Sequence, residues 1–144
     1  MVRGIPSDVV RHFRLIPLFG SVSKKGIRLI VQAATEVDVS GGTALVREGD
    51  WGRELYVVVR GTATVTIGGK KVSELVPGDF FGELAFLHPA PRSATVTARS
   101  DMRLMVLSSR EMDVIVEREP VIAKRLLEAM ARRVRQNEPR QLTH

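Results

Sequence analysis

The fold is decided by residues 77–96, which read PGDFFGELAFLHPAPRSATV. A strand-like apolar pair at 80–81 leads directly into Gly82. Residues 83–87 are good helix formers, and the two prolines that follow end this short helix before Arg92. The sequence therefore predicts a helix of one or two turns that begins at a glycine, inside a region that is otherwise β-rich.

Such an arrangement is suited to binding a phosphate. The first N–H groups of a helix have no partner within it and carry a partial positive charge, so they attract anions. Gly82 lets a ligand approach the backbone closely, and Arg92 can donate two charge-assisted hydrogen bonds to phosphate oxygens. Ser93 can donate another, and Glu83 can accept from ribose hydroxyls. The alternative is a purely structural ion pair between Glu83 and Arg92.

The sequence on both sides of this helix has the pattern of an antiparallel β fold. Strand character recurs between glycines and prolines, over 36–39, 55–59, 62–67, 72–76, 94–98 and 103–107. In the third run apolar and polar residues alternate strictly, which puts Ala63, Val65 and Ile67 on one face. Gly68-Gly69 then predicts a hairpin turn. About eight strands at this spacing predict a sandwich or a barrel.

Helices are predicted on both sides of the strands. The N-terminal helices cover 7–34, with an interruption at Pro17 and the start of a second helix at Ser23. The C-terminal helices cover 109–136, where Ser108 and Glu111 form a capping-box pattern and Pro120 opens the second helix.

Length and composition predict a single globular domain. The chain has 144 residues, 44% of them hydrophobic and 26% charged. We expect a domain over 1–136, with the β region at 35–107, followed by a polar tail at 137–144. The absence of cysteine excludes disulfides and thiolate sites and fits a reducing compartment. With no apolar run long enough to span a bilayer and no signal-peptide core, a soluble cytoplasmic protein without direct membrane insertion is expected.

The net charge of +6 raises the question of a nucleic-acid partner. Basic residues are spread along the chain, and the one dense cluster lies at 132–135. A solvated basic surface is the simpler interpretation, so nucleic acid is not expected as a partner.

The segment at 77–96 resembles the phosphate-binding cassette of the cyclic-nucleotide-binding domain family. That family's pattern is Phe-Gly-Glu, an aliphatic residue and a small residue, then a variable stretch and Arg-Ser/Thr-Ala. This chain has both halves of it, at 81–85 and 92–96. The turns at 49–50 and 60–61 and the strand at 55–58 are also similar to the family. The cassette is especially similar to that of bacterial cyclic-nucleotide-gated potassium channels.

The resemblance implies an α+β, mainly β fold. It would be an eight-stranded antiparallel β-roll, a double-stranded β-helix of the jelly-roll type, with N-terminal helices and two C-terminal helices. It also implies ligand contacts. The backbones of Gly82, Leu84 and Ala85 would bind the cyclic phosphate, Arg92 would neutralise it, Ser93 would hydrogen-bond it, Ala94 would complete the motif, and Glu83 would hold the ribose 2′-hydroxyl.

The resemblance further implies a pocket for the base, lined by Ile67, Val65, Phe80 and Arg133. Arg133 lies three positions after Met130 on one stripe of the last helix and would stack on the purine. Alternatively, it is a solvated arginine that stabilises the helix C-terminus. In channel relatives a threonine at position 93 accompanies cGMP preference, so Ser93 favours cAMP, with cGMP as the second candidate.

The function expected from this resemblance is that of a cyclic-nucleotide sensor, not an enzyme. Neither a cofactor nor a metal is expected. Ligand binding would move the C-terminal helices about a hinge at Glu119-Pro120 and so act on an effector domain or partner protein. The same helices are candidates for a homodimer contact.

Three alternatives fit less well. A cupin-like metalloenzyme needs several ligands on facing strands, but the three histidines, His12, His88 and His144, lie on no predicted strand. The sensor half of a transcription regulator remains open, although only about ten residues follow Val134. An interaction module that binds no ligand is the third alternative, and the intact cassette argues against it.

Overall fold

The computed structural model of the chain describes residues 13–14, 19–82 and 88–137, without the side chains at 126, 129, 130 and 133–137. The first predicted helix and the polar tail therefore lie almost entirely outside the described residues. Only Phe13 and Arg14 of that first helix are described, and both are helical.

The described residues form helices at both ends of a β region, as predicted. The helices are α1 (Lys24–Ala33), α2 (Ser109–Arg118) and α3 (Pro120–Asn137). The strands are β1 (Thr35–Val39), β2 (Ala44–Val46), β3 (Trp51–Gly52), β4 (Glu54–Arg60), β5 (Ala63–Ile67), β6 (Lys70–Leu75), β7 (Phe80–Phe81), β8 (Ala90–Pro91), β9 (Thr95–Ala98) and β10 (Met102–Ser108).

The strands form two four-stranded antiparallel sheets. One sheet has the order β1-β10-β4-β7 and the other the order β2-β9-β5-β6, while β3 and β8 form a separate two-stranded ribbon. Both four-stranded sheets join strands distant in sequence, such as β10 with β4 and β5 with β9. These eight strands confirm the predicted mainly β roll.

An apolar interior lies between the two sheets. Strand β4 contributes to it by alternation, because Val58 points inward and is fully buried while Val57 points to the other side. The buried residues of this interior are Val58, Ala63, Val65, Leu75, Phe81, Ala94, Val96, Ala98, Met102 and Leu104. Since members come from both sheets, this cluster holds the roll together.

A second apolar cluster joins the first sheet to the helices. Its residues are Phe13, Phe19, Val22, Ile27, Ile30, Leu55, Val57, Phe80, Met105, Leu107, Met112, Ile115 and Ile122. The first sheet is therefore covered on both faces, by the second sheet and by the helices.

The helix boundaries follow the capping signals read from the sequence. Ser23 caps α1 by accepting from the Gly26 N–H at 3.0 Å. Ser108 caps α2 in a complete capping box with Glu111, and α3 begins at Pro120. No helix within the described ranges is both long and apolar enough to cross a membrane.

Three short strands, β2, β3 and β8, were not predicted. Each has two or three residues and is therefore too short to carry an alternating pattern. Strand β6 begins at Lys70, two positions before the predicted run, because it pairs with β5 directly after the Gly68-Gly69 turn.

Candidate ligand-binding site

Arg92 is fixed in place by the backbone of a distant turn. It follows strand β8, whose Pro91 pairs with Trp51 of β3. Its N–H donates to the carbonyl oxygen of Asp50 at 2.8 Å, and its own carbonyl accepts from the Gly49 N–H at 2.9 Å. The turn at 49–50 therefore holds the main chain of Arg92 at a defined position.

The guanidinium of Arg92 is buried and paired. Its side chain is only 6% exposed. Nη1 donates to the carbonyl oxygen of Glu54 at 3.1 Å, and Nη2 donates to Oε1 of the same residue at 3.2 Å. Because a buried charge is tolerated only when paired, Glu54 supplies the compensation that Arg92 needs.

Two glycines make room for this guanidinium. A Cβ built on Gly52 would lie 2.1 Å from Nε of Arg92, and one on Gly82 would lie 2.7 Å from Nη1. Gly82 also has φ of +87°, a conformation that other residues rarely adopt, and its added Cβ would lie 2.5 Å from the Glu54 carbonyl oxygen. The cation is therefore packed between two bare stretches of backbone.

An aromatic stack supports the same cation. The Arg92 guanidinium lies 5.7 Å from the ring centre of Tyr56, which in turn stacks on Phe81 with ring centres 4.7 Å apart. Burial raises the pKa of Tyr56, although the positive charge of Arg92 opposes this shift. Since the phenol stays neutral at physiological pH, its ring remains a suitable face for the guanidinium.

A small cavity opens beside Arg92. Its volume is about 170 Å³, and it is lined by Ala44, Leu45, Val46, Arg47, Asp50, Trp51, Glu54, Tyr56 and Arg92. Trp51 is 74% exposed. The buried cation and the backbone at Gly52 and Gly82 suit this region to one small anionic group.

The structure brings together only part of the predicted phosphate site. Gly82 and Arg92 are in contact, and Ser93 follows as an exposed residue. Ala94 is buried in the interior between the sheets. Glu83, Leu84 and Ala85 lie outside the described residues.

Of the four residues predicted to line the base pocket, the structure describes three side chains, and these three do not share one face. Val65 is fully buried in the interior, and Ile67, on the same face, is 37% exposed at the end of β5. Phe80 packs against the helices instead, because alternation in β7 sends Phe81 inward and Phe80 to the opposite face. The side chain of Arg133 is outside the described part of the chain.

Sequence reasoning missed three residues of this site, namely Gly52, Glu54 and Tyr56. The available signal was Glu54 itself, a carboxylate that directly precedes the apolar run 55–59 of β4. Nothing in the local sequence relates that carboxylate to Arg92, which is 38 positions away.

Replacing Gly52 with alanine should weaken anion binding while the fold survives. The backbone there is ordinary, so the new methyl group displaces the end of the Arg92 side chain instead of straining the main chain. We expect cyclic-nucleotide affinity to fall about tenfold or more, as for the loss of a charged hydrogen bond. Calorimetric titration measures this, and circular dichroism checks the fold.

Gly41→Ala is the matched control for this substitution. The atoms nearest to a Cβ there, beyond the adjoining residues, are backbone atoms of Arg99 and Ser100 at 3.3 Å or more, and none belongs to Arg92. Equal affinity for Gly52→Ala and wild type would show that the guanidinium position does not matter for binding.

The sequence matches the model of a known protein family. The family model described as "Cyclic nucleotide-binding domain" matches residues 36–119, more than half of the chain. The chain therefore belongs to the cyclic nucleotide-binding domain family.

The curated relatives include ion channels and kinase subunits. A cyclic nucleotide-gated potassium channel of Rhizobium etli is 33% identical over 120 residues, covering 81% of this chain and 34% of the channel. A cAMP-dependent protein kinase regulatory subunit of Eremothecium gossypii is 33% identical over 106 residues, covering 74% of this chain and 22% of that subunit. The matched region thus spans about a third of the channel and less than a quarter of the kinase subunit.

Solved structures with the same fold include a domain of a transcriptional regulator and a catabolite activator protein. The N-terminal domain of a transcriptional regulator from Streptomyces coelicolor superposes with a TM-score of 0.78 at 29% identity, covering 90% of this chain and 96% of that chain. The catabolite activator protein of Thermus thermophilus superposes with a TM-score of 0.75 at 28% identity, covering 85% of this chain and 60% of that protein.

Proposed function

We propose that this chain is a non-enzymatic sensor domain that binds cAMP, with cGMP as the second candidate. The observation that carries the proposal is the buried guanidinium of Arg92, held between Gly52 and Gly82 at the end of the cassette motif. One fixed cation against glycine backbone suits a ligand with a single phosphate charge better than a polyphosphate, whose further charges would find no comparable partner.

The remaining contacts of the ligand are assigned from the family pattern. Backbone groups of Gly82, Leu84 and Ala85 would hold the cyclic phosphate together with Ser93, and Glu83 would accept from the ribose 2′-hydroxyl. For the base we retain Val65, Ile67 and Arg133. Phe80 is left out, because its ring is packed against the helices.

Titration of cAMP and then cGMP into the purified, nucleotide-free chain tests the proposal directly. We expect one cAMP per chain and weaker binding of cGMP. Ser93→Thr should raise the relative affinity for cGMP, since the residue after the arginine is the proposed discriminator. Absence of binding for both nucleotides at millimolar concentration would reject the sensor function.

Ligand binding is proposed to act through helix α3. Its first turn is anchored, because Ile122 is buried and lies against Gly26 of α1, and Glu119 before it pairs with Lys25 at 3.1 Å. Beyond that turn Leu127 is half exposed. A helix held at one end can move at the other, towards the base or towards an effector domain, partner protein or second copy.

Amide hydrogen exchange is expected to report this movement. With saturating cAMP, exchange over residues 122–134 should slow severalfold, because the helix gains contacts with the ligand. Strand β1, which is paired with β10 and contains none of the proposed ligand contacts, serves as the internal reference. Identical exchange over 122–134 with and without nucleotide would reject the relay.

The compartment and the domain limits follow as part of the same proposal. We infer a cytoplasmic regulatory domain over 1–136 with a polar tail at 137–144. A second candidate, the sensor half of a transcription regulator, is favoured by the likeness to the Streptomyces coelicolor domain. Retention of the chain on DNA at about 150 mM salt would support this second candidate, because weak non-specific contacts are lost as salt rises.

A further inference from the structure

We propose that Glu54 is an internal counter-ion of Arg92 that competes with the ligand phosphate and so sets the affinity of the site. This inference rests on the proposed function, in which Arg92 binds the phosphate. The Glu54–Arg92 pair joins the start of β4 to the end of the cassette, and the cassette pattern in the sequence does not include Glu54.

The two contacts that Glu54 makes with the guanidinium differ in their freedom to move. The carbonyl oxygen that accepts from Nη1 belongs to strand β4, whose backbone is paired with β10 on one side and β7 on the other. The carboxylate that accepts from Nη2 is on a side chain 36% exposed, which can turn into water. The backbone contact therefore keeps Arg92 in position, while the carboxylate contact is exchangeable.

A phosphate oxygen that reached Nη2 would lie within a few ångströms of the Glu54 carboxylate. Two negative charges at that distance repel, so either the carboxylate leaves or the anion binds less tightly. The same carboxylate oxygen lies 3.4 Å from the Arg53 backbone nitrogen, too long to hold it firmly. In the nucleotide-free protein, the Glu54 carboxylate thus pairs with the buried guanidinium of Arg92. When a phosphate takes its place at Nη2, the carboxylate repels that phosphate.

Glu54→Gln is the substitution that tests this competition. Glutamine keeps the size and the acceptor oxygen but removes the negative charge. We expect the variant to bind cAMP roughly three- to tenfold more tightly than wild type, the range that one nearby unit charge produces in a partly exposed site. Glu117→Gln, an exposed residue of α2, removes one negative charge elsewhere and should leave affinity unchanged.

Inorganic phosphate is titrated into the same three proteins, with the Arg92 Nε–H resonance as readout. If Glu54→Gln binds both anions more tightly and Glu117→Gln does not, the counter-ion role stands. If no protein binds cAMP but Glu54→Gln still binds phosphate more tightly than wild type, the sensor function fails and the counter-ion role survives. If Glu54→Gln binds neither anion more tightly than wild type, the counter-ion role is wrong.

Discussion

Arg92→Ala is expected to weaken cAMP binding by at least tenfold. The substitution removes the only cation that the described residues place against both Gly52 and Gly82. A charge-assisted hydrogen bond contributes about 1.5–3 kcal/mol, and two such bonds to one phosphate can be lost together. Isothermal titration of cAMP into the variant and the wild type measures the difference.

The fold should survive this substitution, which makes the result interpretable. Once Arg92 is removed, the Glu54 carboxylate can turn to water, since its side chain is 36% exposed, and no buried charge is left unpaired. Arg110→Ala is the matched control, because Arg110 is an exposed arginine of α2. Wild-type affinity in Arg92→Ala would mean that the phosphate is bound elsewhere.

Phe81→Ala is expected to have the largest effect on stability, lowering the free energy of unfolding by about 3–5 kcal/mol. Phe81 is 1% exposed in the interior between the two sheets, so alanine leaves a cavity that the surrounding strands cannot close. Its ring also stacks on Tyr56, and this contact is lost as well. Urea unfolding followed by circular dichroism gives the value.

Val72→Ala provides the comparison for this measurement. Val72 is on strand β6 but is substantially exposed, so its truncation should change stability by less than about 1 kcal/mol. Because Tyr56 lies between Phe81 and Arg92, the Phe81 variant should also bind cAMP more weakly, at a temperature where it remains folded. A loss of stability no larger than that of Val72→Ala would contradict the packing described for the roll.

Alternation and turn signals were sufficient to predict an antiparallel sandwich or barrel, and the family resemblance specified the β-roll. The run at 62–67 fixed which residues of β5 face inward, and Ala63 and Val65 are indeed fully buried. Capping residues were equally informative, since Ser23, Ser108 and Pro120 mark the helix starts that the structure has. These features are local, so a single stretch of sequence contains all the information that they need.

The site was predictable only where its residues are close in sequence. Gly82 and Arg92 belong to one cassette of about a dozen positions, and the structure brings them into contact. Gly52, Glu54 and Tyr56 reach Arg92 only through strand pairing, between β3 and β8 and within the first sheet. The packing of Phe80 in the helix-side cluster was not predictable, because membership of a motif does not reveal which face of a two-residue strand is the inner one.

The packing of one arginine between two glycines has a consequence for how the sequence can diverge. While Arg92 occupies this space, any side chain at position 52 collides with it, and one at position 82 collides with the Glu54 carbonyl as well. If the arginine were lost, a side chain at position 52 would no longer collide with it. Position 82 would still favour glycine, because its φ is positive. In related sequences that no longer bind a nucleotide, positions 92 and 52 should therefore change before position 82. Sequence comparison among such relatives can test this order.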